Sequence, residues 1–268
     1  MILHRLIIFF LIAVMLNNGK CFAQQEKIAQ QEKKCAELYA KLLSFVQTSG
    51  DSVNLYAARF EKNLVECIRE NPSTLHYAFS VLTDSGFCSI QTSADGNFRI
   101  YSWDTWTGGT MHIFKNIYQW KSDDGIFSRH DKDRGEDPGN FCSAIYSVKL
   151  KDKPYYLAIT NGVYSTRDAI QSISAFTIKK NILTDTVRLF KTKTKRLHTI
   201  DVAFDFFSVS EKAERPLKLI TYDEESKTVY IPVVNKDDKV VNNQFLVYTL
   251  KDEYFEFTGI SSDKRISN

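Results

Sequence analysis

The most distinctive stretch of this 268-residue chain reads Arg99-Ile-Tyr-Ser-Trp-Asp-Thr-Trp-Thr-Gly-Gly-Thr-Met-His112. It carries a carboxylate, Asp104, and an imidazole, His112, on either side of a Thr/Gly-rich segment. If that segment turns the chain back on itself, the two face each other as a pair suited to general acid–base work. Trp103 and Trp106, with Tyr101 beside them, offer flat apolar faces that suit a sugar ring or a peptide. Gly108 and Gly109 permit positive φ or a close approach of backbone to ligand. Tyr101, Trp103, Trp106, Gly108 and Gly109 are therefore the candidate ligand-binding residues, and Asp104 with His112 the alternative catalytic pair. A plainer reading is preferred: Trp-Asp at a strand end packs and caps a turn, and Gly-Gly makes the turn. One observation separates them. Burial of Trp103, with Asp104 acting only as a turn cap, removes both site proposals.

Other chemistry is thinly signalled. His130–Asn140 reads HDKDRGEDPGN, superficially a calcium loop. A calcium-binding EF-hand places acids at loop positions 1, 3 and 5, Gly at 6 and Glu at 12. Here Gly135 falls one place early, the late Glu is missing, and Lys132 and Arg134 neutralise the acids, so a solvated loop is expected and no metal site. There is no Gly-x-Ser-x-Gly, no His-Glu-x-x-His and no phosphate-cradling Gly-rich loop, and no cofactor is expected. Lys191, Lys193 and Lys195 alternate with Thr before Arg196. On a strand they would share one face, able to touch anionic lipid or glycan, but an edge strand or hairpin guarded by lysines is the preferred reading.

The elements that must position these residues follow from periodicity. Residues 26–47 place Ile28, Cys35, Leu38, Tyr39, Leu42 and Phe45 at helical spacing, with charges on the other face. Thr48-Ser49-Gly50 stops this helix, and Asp51 or Ser52 caps a second over about 52–70, ended by Asn71-Pro72. After Pro72 the texture changes to period two. Strands are expected over 97–104, 110–120, 145–150, 155–160, 173–178, 186–190, 199–207, 217–222, 228–234, 245–250 and 254–257. Asp95-Gly96, Asp124-Gly125, Asn161-Gly162 and similar pairs mark the turns. The fold class is therefore mainly β with an N-terminal αα-hairpin, as an antiparallel meander with propeller-like or sandwich packing. An open barrel is the remaining architecture, and α/β folds are excluded. The expected domains are a leader over 1–23, the helical hairpin over 24–72, an antiparallel β domain over 73–260 and a flexible tail over 261–268.

His4-Arg5, the apolar run Leu6–Leu16, the break at Asn17-Asn18-Gly19 and the small residues of Cys21-Phe22-Ala23 have the layout of a signal peptide cleaved before Gln24. A periplasmic or secreted protein is expected, with no transmembrane segment after cleavage. Four cysteines then remain: Cys35, Cys67, Cys88 and Cys142. Cys35 lies 15 residues before Gly50 and Cys67 lies 17 after it. In a helical hairpin they would differ in height by about 3 Å. Cys88 and Cys142 share the context Phe-Cys-Ser. Disulfides 35–67 and 88–142 are expected, against four buried free thiols as the other reading. The formal charge of +3 rests on 35 basic and 32 acidic residues. Removing Arg5 and Lys20 with the leader leaves 33 against 32, so charge does not indicate a nucleic-acid partner.

Ser93-Ala-Asp-Gly-Asn-Phe-Arg-Ile-Tyr-Ser-Trp-Asp, Leu219-Ile-Thr-Tyr-Asp, Val229-Tyr-Ile-Pro-Val-Val and Tyr254-Phe-Glu-Phe together resemble a group of uncharacterised secreted β-rich proteins of Gram-negative bacteria. The Ser-x-Asp-Gly turn is also similar to turns of TolB-type propellers. The resemblance implies export and a β fold, and no assigned activity or catalytic residue. The expected function is thus an exported β-rich binding or interaction protein, its partner a small ligand, a glycan or an envelope protein. The alternatives are a hydrolase of envelope glycan or peptide using Asp104 and His112, and a structural envelope component docking through the helices.

Overall fold

A computed structural model describes the backbone of residues 2–131 and 137–262 and the side chains of 23–131 and 137–262. The centre of the charged loop, Lys132-Asp133-Arg134-Gly135-Glu136, and residues 263–268 of the expected tail lie outside the described residues. The chain divides into two compact units, Met1–Phe87 and Cys88–Asn268.

The first unit is helical: α1 (Ile2–Leu43), α2 (Gly50–Glu70), a 3-10 turn (Pro72–Leu75) and α3 (Ser80–Asp84). The break expected at Asn17-Asn18-Gly19 is not seen, and α1 runs straight through. Asn and Gly cost a helix interior at most about 1 kcal/mol each, and neither removes a backbone donor as proline does. The cap of α2 is Ser49, not Asp51 or Ser52: its Oγ accepts the backbone N–H of Ser52 at 3.3 Å. Asn71 closes α2 as expected, and its side-chain amide donates to the Cys67 carbonyl at 2.7 Å. Buried between these elements, Glu32 accepts from Tyr77 Oη at 2.8 Å and from the Leu82 N–H at 3.1 Å. Burial, followed by the bond to Glu32, pushes the Tyr77 phenol up to about 12.

No disulfide forms. Cys35, Cys67, Cys88 and Cys142 are buried free thiols, which corrects both expected pairings. The hairpin does bring Cys35 and Cys67 within electrostatic reach of each other, but each packs as a small apolar side chain. Cys142 instead donates its S–H to the Ala144 carbonyl at 3.4 Å. Burial pushes the thiols of Cys35, Cys67 and Cys142 up to about 12. A domain of this size builds a core without covalent staples.

The second unit is made of strands. β1 (Ser89–Thr92), β2 (Phe98–Asp104), β3 (Phe114–Ser122) and β4 (Gly125–His130) form a four-stranded antiparallel meander. β5 (Phe141–Leu150), β6 (Lys153–Val163) and β7 (Asp168–Lys179) form a second sheet with β8 (Ile182–Thr184) and β11 (Thr199–Asp205). The third sheet has six strands in the order β10-β9-β15-β14-β13-β12. These are β9 (Phe190–Lys191), β10 (Arg196–Leu197), β12 (Thr221–Asp223), β13 (Thr228–Val234), β14 (Val241–Leu250) and β15 (Phe255–Ser261). The structure is mainly β with antiparallel sheets, one of them curled into a half-barrel, and an N-terminal helix pair. A single parallel pair, β9 with β15, departs from the antiparallel rule. A 3-10 turn at Phe206–Val209 also interrupts the strands.

The middle sheet is covered on both faces. Leu157 and Ile159 of β6 and Ile173 and Ala175 of β7 pack with Phe190, Val229, Ile231 and Phe255 of the third sheet. Their neighbours Tyr156, Ala158 and Phe176 pack with Phe98, Ile100 and Trp120 of the first. Alternate residues of one strand enter two cores, so β6 reads as an almost continuous apolar run. Two boundaries differ from those expected. Asn161-Gly162 lies inside β6, where a Cβ at Gly162 would collide with the Asn140 side chain. The expected strand over 217–222 is regular only from Thr221. The N–H groups of Leu219 and Ile220 go instead to the buried side-chain oxygen of Gln171, at 3.1 and 2.6 Å.

Candidate functional site

Strand β2 points alternate side chains to opposite faces. Phe98 and Ile100 enter the core with the middle sheet, while Arg99, Tyr101 and Trp103 lie on the other face. Both faces are buried, which corrects the expected ligand face. Tyr101 is fully buried and donates its hydroxyl to Gln119 Oε1 at 2.7 Å. Trp103 is 2% exposed and stacks on the His130 imidazole, with centroids 6.2 Å apart and planes 7° from parallel. Arg99 donates from Nε to Thr92 Oγ1 at 2.6 Å. The two-tryptophan platform therefore does not exist.

Asp104 ends β2, opposite Phe114 of β3. Its Oδ1 accepts the backbone N–H of Trp106 at 2.8 Å, the expected turn cap. Its Oδ2 also contacts His112 Nδ1, so the carboxylate does more than cap. β3 begins at Phe114, four residues later than the alternation implies. The residues ahead of it are held by long-range bonds instead: His112 N–H donates to the Val163 carbonyl at 3.0 Å, and Thr105 N–H to the Ile113 carbonyl at 2.8 Å. The two glycines serve the turn itself. A Cβ at Gly108 would collide with the Met111 carbonyl, and Gly109 takes a φ of +68°.

Trp106 is what this loop presents. It is 37% exposed, whereas Trp103 and Trp120 are buried. Its φ is +56°, a left-handed conformation that costs a bulky L-residue about 1–2 kcal/mol. The Asp104 bond to its N–H holds that conformation, and its indole meets the His112 ring edge-on at 5.4 Å. His112 stacks in turn on Phe114 at 6.2 Å, and Phe114 contacts Phe141 at 5.0 Å. His112 turns Nδ1 to Asp104, and its side chain is 32% exposed. Chemically, the loop is an apolar surface with one ring nitrogen beside it.

The Ser93–Asn97 turn is structural. Ser93 donates to Asp95 Oδ1 at 2.6 Å, the Asn97 N–H adds a bond at 3.0 Å, and Tyr156 Oη donates to Oδ2 at 2.9 Å. Burial pushes the Asp95 carboxyl up, but these bonds outweigh it and leave the group below its ordinary value. Among the described residues no cluster of His, Cys, Asp and Glu could hold a metal ion. Nor is any helix long and apolar enough to cross a membrane. The basic run does not form one strand: Thr192 N–H donates to the Lys195 carbonyl at 2.8 Å, folding it into the β9–β10 hairpin. His130, Val163 and Phe114, which shape the site, escaped the sequence reading because no local spacing announces a contact across strands. No protein-family model and no curated protein sequence matches the chain.

Proposed function

We propose that the chain is an exported, periplasmic or secreted binding protein that meets its ligand through the indole of Trp106. The observation that carries this reading is an exposed tryptophan held at positive φ by the Asp104 cap and the His112 ring. Strain of this kind, kept by a fixed hydrogen bond, is a recurring property of binding loops. An indole fixed in this way loses little freedom on contact, which favours binding a flat sugar or peptide face. The leader pattern of residues 1–23 and the likeness to secreted β-rich proteins support the location.

Tryptophan emission tests the binding step. Trp106 is the exposed one of three tryptophans, so acrylamide quenching reports on it. Soluble glycan fragments of the bacterial envelope, and separately envelope peptides, are expected to shield it saturably. Shielding by neither class overturns the reading. N-terminal sequencing of the protein recovered outside the cytoplasm is expected to begin at Gln24.

The contact between Asp104 Oδ2 and His112 Nδ1 favours a second reading, a hydrolase in which Asp104 orients His112 and Nε2 acts as general base. It predicts release of product from the same glycans or peptides, abolished in His112→Asn. Binding without turnover contradicts it.

A further inference from the structure

On the same unit but on different elements, Arg188, Lys195, Arg196 and His198 line a cleft of about 450 Å³ with Leu197 and Thr199. Among the described residues no carboxylate lines it. We propose that this cleft binds a small ligand bearing a phosphate or sulfate ester.

The hairpin sorts its cations. Lys191 is neutralised by Glu256 at 2.8 Å across the parallel β9–β15 pair, and Lys193 rests over the Phe257 ring at 5.8 Å. Lys195 and Arg196 lie past the turn and line the cleft instead. Among the described residues the side chains of Arg188 and Lys195 make no ion pair, and Arg188 also borders a neighbouring cleft lined by Asp252 and Glu253. Glu253 acts on Arg196 electrostatically, but it is ion-paired with Lys151 and lines a neighbouring cleft.

The cations are also placed. Arg196 donates from Nη1 to Tyr254 Oη at 2.6 Å and lies 4.2 Å above that ring, which restrains the guanidinium and engages one of its three nitrogens. His198 has Nδ1 on Thr199 Oγ1 at 3.0 Å and lines the cleft. Guanidinium forks match tetrahedral oxyanions in a bidentate way, and a lysine adds a point charge. The volume suits a sugar phosphate and falls in the range of small-molecule sites. Three permanent cations held together without a ligand repel one another, and a dianion relieves that repulsion.

The test is calorimetric titration of the mature full chain with inorganic phosphate, glucose 6-phosphate, glucose and phosphatidylglycerol vesicles. Phosphate and glucose 6-phosphate are expected to bind saturably and glucose not at all. Arg188→Gln and Lys195→Gln should each weaken binding at least tenfold, Arg188→Lys by less, and Lys191→Gln and Trp106→Phe not at all. Circular dichroism confirms folding of each variant, and all the substituted side chains in the cleft are exposed. No saturable binding of either free phosphate compound below 10 mM, binding of vesicles alone, or equal weakening by Lys191→Gln overturns the proposal. Because Trp106→Phe is predicted to be neutral here, failure of the Trp106 reading and failure of this one are distinguishable.

Discussion

The loop from Asp104 to His112 and the cleft around Arg188 and Arg196 treat charge in opposite ways. In the loop every charge has a partner close in sequence: Asp104 caps Trp106 and contacts His112. In the cleft, cations from the β8–β9 connection and the β9–β10 hairpin converge with no lining acid among the described residues. Polar groups satisfied within a loop make it stiff, and that stiffness is spent on holding one indole in solvent. Charges left unsatisfied at a surface contribute little to folding and remain available to a ligand. Substitution in the first region should therefore register mainly as stability, and in the second mainly as affinity.

The largest expected effect breaks the loop. Asp104→Ala removes the cap and strands the His112 contact, at a cost of about 2 kcal/mol. Urea unfolding of this variant beside Arg188→Ala checks the contrast, since the latter should stay within about 0.5 kcal/mol of the parent. Equal losses would erase the distinction. A smaller effect separates the two ends of the loop. Trp106→Gly relieves the positive φ while deleting the indole, so stability should change by less than about 1 kcal/mol while quencher-accessible emission disappears. A persisting accessible component would mean that a buried tryptophan opens.

Acid gives a third comparison. Asp95 has a folded value below its unfolded one, so its contribution is present above the ordinary carboxylate range and is lost as pH falls through the lowered value. Asp95→Asn should flatten the acid limb of the stability curve below about pH 4, where Arg188→Ala leaves it unchanged. The smallest signal is chemical. Thiols buried and pushed up to about 12, as at Cys35, Cys67 and Cys142, should resist iodoacetamide at pH 8 in the native chain and react after unfolding. Masses two hydrogens lighter per cysteine pair, before reduction, would restore the disulfides.

Much of the fold was legible, and the misses share a cause. β13 runs over Thr228–Val234 as its run of β-branched and aromatic residues between turn signals implies. β6 and β7 kept their type but not their ends, because residues on both their faces are buried and alternation vanishes. The segment before Thr221 looks like a strand but gives its N–H groups to Gln171, a partner 48 residues away from Leu219. The site divides in the same way. Asp104, Trp106 and His112 lie within one loop, and their spacing sufficed to bring them together. Trp103 carried the same signal as Trp106, and only its position on β2 decided that one indole is buried and the other is not. The basic cleft was invisible beyond the Lys191–Arg196 run, because Arg188 and His198 join it through the hairpin rather than through a shared strand face.

The role proposed for Trp106 is that of a ligand contact on a stiff mount. Acrylamide quenching of the mature chain, with and without saturating soluble envelope glycan or peptide, tests it most directly. The account predicts one accessible tryptophan population that becomes shielded on ligand addition and is missing in Trp106→Phe. An accessible population unchanged by either ligand class contradicts it.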